Sequence, residues 1–319
     1  MQRVERKHAT ITTVGCGLEP AITVEPGELF VLETDDAAWS YFSNEHVLPY
    51  PENRPTHHTS PPDLNPLAGP VYIEGAEKGD VIVVYIESIE PEANGYTILQ
   101  PGDGLLGDSL KYSETSEYYT KILHHEPGPS GTFRDGICRF NESISWQLAP
   151  HIGTLCLAPA RESLASVSIQ GPYGGNIDSR DVKEGSKIYL QSHHKGGLLF
   201  AGDVHACMGD GELTDTADEC RAELTLSCDV IKETKIPHVR IEKPESLVGL
   251  YCAKPLEAAV KGATMNLLDW LVEDYDFSKR DAYLLMGTCP DFRINVYQMV
   301  DFSVLSYTVG AELPKRYLE

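Results

Sequence analysis

The chain has 319 residues, 41% of them apolar, and a formal charge of −22 at pH 7. That is enough apolar side chain for two or three packed layers. The acidity, uninterrupted by any Lys/Arg stripe, excludes binding to a nucleic-acid backbone, and the lack of any apolar run of about 18 residues excludes a membrane-spanning helix.

The N-terminal stretch MQRVERKHAT lacks the apolar core of a signal peptide. The eight cysteines show no CxxC spacing, as suits free thiols in a reducing compartment. The expectation is a cytoplasmic protein. From residue 21, AITVEPGELFVLET reads as strand, Pro-Gly turn and strand, running into Asp35 and Asp36. Residues 37–66 carry six prolines and His46, His57 and His58, and read as a long irregular loop, either a lid or a solvated segment. Residues 70–90 predict two strands, PVYIE and DVIVVYIESI, the second apolar enough to be covered on both faces.

Residues 91–149 are turn-rich and least legible; a β pattern resumes over 137–158. KIYLQSHH at 187–194 alternates as a strand does, and so does AELTLSCDVI at 222–231. The C-terminal part predicts two helices. The first has an apolar stripe of Leu256, Val260, Ala263, Leu267, Trp270 and Leu271. The second spans 278–286, capped by Ser278 and stopped by Gly287. A last strand lies in DFRINVYQMVDFSV. The fold class is therefore α+β, mainly β. One unit over 1–319 accounts for the chain, with sub-modules at 1–150 (mainly β), 151–240 (β, with the site motifs) and 241–319 (α/β).

The chemistry concentrates in 171–219. GPYGGNIDSR leads through Gly174, Gly175 and Asn176 to Asp178. GGLLFAGDVHACMGDGE leads through Gly202 and Asp203 to His205, Asp210 and Glu212. Glycine turns of this kind let backbone approach a ligand closely. The strand KIYLQSHH between them can bring both turns to one rim of a sheet.

These two stretches resemble the acetamidase/formamidase family, metal-dependent hydrolases of short linear amides. NPLAGPVYIEGAEKGDVIVVYI at 65–86 and GTLCLAPA at 153–160 are similar to two further signatures of that family. The likeness runs in order from about Glu25 to about Asp301. It implies a β-sandwich with a β-barrel-like part and a small C-terminal α/β part, a homodimer or larger homo-oligomer, and a small amide as substrate.

Hydrolysis of an unactivated amide needs a strong nucleophile, a polarised carbonyl and a proton for the leaving amine. A bound divalent metal and a carboxylate base can supply these. Mixed imidazole and carboxylate ligands suit zinc, with manganese or calcium as alternatives, and the resemblance favours zinc. Asp36, Asp178 and His205 are the candidate ligands, Glu212 the candidate base and Asp210 a second catalytic candidate. Asn176, Tyr173 and Gly175 are candidates for contact with substrate.

Each has a structural alternative. Asp36 can close a strand, while Asp178 and Asp210 can hold turns through backbone N–H groups. His205 can bridge turns inside a core. His193 and His194, adjacent on a strand, should face opposite ways. Cys207 offers a rival thiol mechanism or is a small packed thiol, and a non-catalytic metal- or ligand-binding protein is the rival of another class. The chain departs from the family at Tyr173, where many members have histidine, at AAWSYFS after Asp36, and in DFRINVYQMVD, longer than usual as a bulge would make it. Tyr173 and Trp39 are the aromatics expected to close a small pocket.

Overall fold

The computed structural model describes residues 1–42, 44–53, 63–300 and 305–318. Among these residues eighteen strands join in one curled sheet resembling half a barrel, and a separate two-stranded ribbon pairs 13–14 with 164–165. The architecture is α+β and mainly β, as the patterning predicts.

The spine is the strand Val81–Leu99. It pairs antiparallel with Glu219–Ile231 along almost its whole length, with Lys187–Gln191 at its start and with Tyr119–Glu126 at its end. Strands this long must bend, and register shifts at 220/222 and 225/226 supply the bend. The continuous apolar run at its start is buried on both faces, while Leu224, Leu226 and Cys228 carry the partner's apolar face into the same core. The strand extends about ten residues beyond the sequence-based end at 90, because the partner continues to pair with it where Pro91, Asn94 and Gly95 weaken the local signal.

A second core lies under the helices. Helix α1 (Leu256–Asp274) sets Ala263, Leu267, Trp270 and Leu271 against Leu247, Val309 and Ala311 of the strands Ser246–Ala253 and Tyr307–Pro314. Helix α2 (Lys279–Thr288) starts as predicted, with the Ser278 hydroxyl accepting the Asp281 N–H at 3.0 Å. Its end differs. The helix runs through Gly287 and stops at Cys289, where Pro290 disfavours the α conformation of the residue before it.

The link between the two glycine turns also differs from expectation. Lys187–Gln191 ends before both histidines and pairs with 81–85 and 240–242. The strand His151–Leu157 makes the link instead. It lies between Gly174–Asn176 on one side and Leu199–His205 on the other.

Gly175, a candidate for substrate contact, serves this packing. Its φ is +140°, and a Cβ there would stand 1.9 Å from the Ile169 carbonyl oxygen. Gly175→Ala should lower the urea midpoint at unchanged slope, by a stability loss of about 3 kcal/mol.

Candidate functional site

Five buried groups converge at one end of the curled sheet: Asp178, Asp203, His205, Glu212 and Glu219. His205 ends the strand Leu199–His205, and cross-strand register places His151 opposite it on one side and Glu219 on the other. Asp203 lies two residues before His205 on the same strand. Asp178 follows the Gly174–Asn176 strand, and Glu212 sits in the turn after Gly211. Asn65, Asp178, Asp203 and Glu212 all have φ between 42° and 57°. Such left-handed backbone costs a non-glycine residue on the order of 1–3 kcal/mol, and it clusters where side chains must be aimed.

The tautomer of His205 follows from its partners. His151 Nδ1 lies 3.1 Å from the Ala149 carbonyl oxygen, which can only accept, so that nitrogen carries the proton. Burial holds the His151 pKa well below its ordinary value, leaving Nε2 an acceptor. His205 Nδ1, 3.3 Å away, donates to it. His205 Nε2 then faces Glu219 Oε1 at 3.4 Å and Asp203 Oδ1 at 3.8 Å.

Hydrogen bonds fix the carboxylates in turn. Asn65 Nδ2 donates to Asp203 Oδ2 at 2.8 Å, and the Thr154 hydroxyl, 3.0 Å from the same oxygen, is also 2.9 Å from Asn176 Oδ1. Gln298 donates to Asp178 Oδ2. It reaches in because the strand Arg293–Gln298 slips register against Tyr307–Pro314 between Val296 and Gln298, the irregularity that the extra length of DFRINVYQMVD suggests.

Burial pushes Asp178 up to about 8, with Asp203 adding to the effect, and raises Glu212 and Glu219 as well. For His205 burial works against the charged form, but Glu219 and Asp203 prevail and its pKa stands well above the usual imidazole value.

This donor set fits a divalent metal. Asp178 Oδ1 and Glu219 Oε2 are buried without a hydrogen-bond partner, as carboxylate oxygens awaiting a cation would be. Asp178, His205 and Glu212 offer atoms within 4.8 Å of one another, as do Asp203, His205 and Glu219. Two ligands on one tetrahedral metal stand roughly 3.4 Å apart, close to the His205–Glu219 separation.

The carboxylates form the floor of a chamber of about 110 Å³, walled by Phe42, Leu64, Tyr96, Ile98, Val300 and Leu305. The Phe42 and Tyr96 rings pack at 5.4 Å. They occupy the place expected for Tyr173 and Trp39. The Tyr173 hydroxyl instead donates to the Gln170 carbonyl, its ring meeting His193, and Trp39 Nε1 donates to the Asp63 carbonyl. His194 bonds the Pro159 carbonyl. Asn176 lines the chamber, but its amide is engaged by Thr154 and the Val167 carbonyl. His57 and His58 lie outside the described residues.

Two carboxylates stay out of the cluster. Asp210 is exposed and pairs with Arg180. Asp36 is buried beside the chamber wall, its Oδ1 accepting the N–H groups of Ala38 and Ser40 at 3.0 and 2.8 Å, which is the turn-holding alternative. Cys207 lies beyond the end of its strand, its thiol on the Gln147 carbonyl at 3.7 Å. Burial, reinforced by Asp218, pushes that thiol up to about 11, opposite to what a nucleophile needs.

The acetamidase/formamidase family profile matches residues 14–171 and 168–315, nearly the whole chain. The chain belongs to that family of amidohydrolases. A crystal structure of an acetamidase from Yersinia enterocolitica superimposes with a TM-score of 0.86 at 34% identity, covering 98% of this chain and 91% of that one. An acetamidase of Mycolicibacterium smegmatis is 25% identical over 349 residues, covering 85% of this chain and 83% of that one. A formamidase of Methylophilus methylotrophus is 26% identical over 192 residues, and the chain spans 47% of its length. A Schizosaccharomyces pombe relative matches over 55% of its own length, so the chain spans about half the length of these last two.

Within this family site, Asp203, Glu219, His151 and Gln298 escape a reading of motifs. Asp203 alone carries a local signal, since positions two apart on a strand share a face. The others reach His205 or Asp178 only through cross-strand register and tertiary packing.

Asp36 generates a test. Burial holds its pKa at about 6, above the unfolded value, against the pull of the Ser40 N–H. The folded chain therefore binds the extra proton, and stability is lost as pH rises from about 4 through 6. Asp36→Asn should remove a stability change on the order of 3 kcal/mol across that window while leaving metal content unchanged. Denaturation midpoints at several pH values, with elemental analysis, check both.

Proposed function

We propose that the chain hydrolyses formamide, acetamide and similarly short amides to the carboxylate and ammonia, with a divalent metal held in the chamber. The observation that carries this reading is the set of four buried carboxylates around one imidazole of defined tautomer, two of their oxygens without partners. His205 Nε2, common to both groups, would hold the metal with Asp203 and Glu219 of one and Asp178 of the other. One imidazole with several carboxylates suits zinc, and also manganese or calcium. Bound there, the metal would polarise the amide carbonyl and bring the pKa of a water towards ~7.

The chain's own residues then have separate tasks. His151 holds the proton on His205 Nδ1 and so keeps Nε2 available, the usual outer support of a metal-binding histidine. Glu212 takes the water's proton on a carboxylate oxygen and returns it to the leaving nitrogen. Its raised pKa brings it nearer the range where such shuttling is efficient. Phe42, Leu64 and Tyr96 exclude bulk water and limit the acyl group to a few carbons. Asp210, exposed on Arg180, has no part in these steps. The free cysteines suit a cytoplasmic enzyme, and the family's pattern suggests a homodimer or larger, which light scattering on the purified protein tests.

Ammonia release over a panel of linear amides should be measurable with formamide or acetamide and fall steeply beyond four carbons; no release from any amide would favour a non-catalytic binding protein. Glu212→Gln should lower turnover by about 10²–10⁴ with metal retained. His205→Ala should lose the metal itself. The reverse pattern in elemental analysis would make Glu212 a ligand. His151→Phe should weaken metal retention by roughly 10–100-fold, the usual worth of such support, read by chelator competition.

A further inference from the structure

We propose that the chain holds a second divalent metal, in a thiolate-containing site built from His125, Cys138 and Asp218. These three buried residues offer ligand atoms within 4.8 Å of one another and share no member with the chamber. His125 and Cys138 are cross-strand partners in the hairpin of Tyr119–Glu126 and Ile137–Arg139. Asp218 immediately precedes the strand that Glu219 begins. Glu219 lines the chamber, while Asp218 lines an adjoining, more open cavity of about 760 Å³.

The geometry is that of a metal-binding triad. His125 Nδ1 sits 2.6 Å from the Glu92 carbonyl and must donate to it, which aims Nε2 at Asp218. Nε2 stands 3.1 and 3.3 Å from the two Asp218 oxygens, near the roughly 3.4 Å that separates two ligands of a tetrahedral metal. A histidine oriented through its far nitrogen by a backbone carbonyl is the common support of such a ligand. One sulfur, one nitrogen and one oxygen donor favour zinc over magnesium or calcium. Three protein ligands leave a fourth position, which can take water. Binding displaces the Cys138 thiol proton to solvent and leaves a thiolate–metal bond.

Such a metal would pin the hairpin to the segment that carries the chamber. The Asp218 N–H donates to the Cys207 carbonyl at 3.0 Å, and the Ala206 N–H donates to the Asp218 carbonyl at 2.9 Å. The plain alternative is a buried His125–Asp218 ion pair beside a neutral thiol.

Cobalt(II) distinguishes the two, because the chamber contains no sulfur ligand. Protein produced with cobalt(II) as the supplied divalent metal should show a thiolate-to-cobalt charge-transfer band in the near ultraviolet. Cys138→Ser should abolish the band and lower cobalt content by about one ion per chain, whereas Cys207→Ser should keep both. His125→Asn should weaken the band, and it provides a second reading if the serine variant does not fold. A wild-type protein without the band, or a band that survives Cys138→Ser or vanishes in Cys207→Ser, overturns the proposal. Failure of amide hydrolysis would leave this result untouched.

Discussion

The structure depends on the mutual repulsion of four carboxylates held out of water. Among the described residues no lysine or arginine lines the chamber, so within them charge among Asp178, Asp203, Glu212 and Glu219 is balanced by His205, by protons or by a metal. Burial pushes Asp178, Glu212 and Glu219 towards their neutral forms, and the neighbouring carboxylates add to the push while His205 opposes it. An arrangement so costly to the apoprotein persists only where the surrounding fold over-determines it. Here the frame is a sheet in which His151, His205 and Glu219 occupy one row across three strands.

The row explains the division of labour around His205. One cross-strand neighbour is a histidine made neutral by burial and fixed by a backbone carbonyl; the other is an acid. The imidazole is therefore directional, with its proton on the His151 side and its lone pair on the acidic side. A metal and a proton compete for that lone pair, so metal affinity at the site should fall as pH falls. Left-handed backbone at Asp178, Asp203 and Glu212 aims the acids at the same point.

The start of the strand Glu219–Ile231 also separates two chemistries by a single residue. Glu219 looks into the small chamber and Asp218 out to the larger cavity, with His125 and Cys138 beside it. Whatever tightens the outer cluster acts on the backbone that pairs with His205, since Ala206 and Cys207 bond Asp218 directly. The two clusters are thus joined mechanically while differing in ligand chemistry, oxygen-rich on one side and sulfur-containing on the other.

Much of this was legible from the residues. A continuous apolar run marked the strand at 81–90, alternation marked 222–231, and three- and four-residue spacing marked α1, because each pattern reports burial through a local repeat. Two glycine turns pointed to Asp178, His205 and Glu212, since turn chemistry is local too. Asp36 and Asp210 looked equivalent to them in sequence; exposure and backbone hydrogen bonding set them apart. The tertiary structure alone decided that His151–Leu157, and not Lys187–Gln191, joins the two turns. It also decided that Glu219 and His151 flank His205, that Gln298 reaches Asp178, and that Phe42 and Tyr96 wall the chamber. The physical reason is that a periodic pattern says which face of a strand is buried, whereas cross-strand register says what that face meets, and register is set by pairings between residues dozens of positions apart.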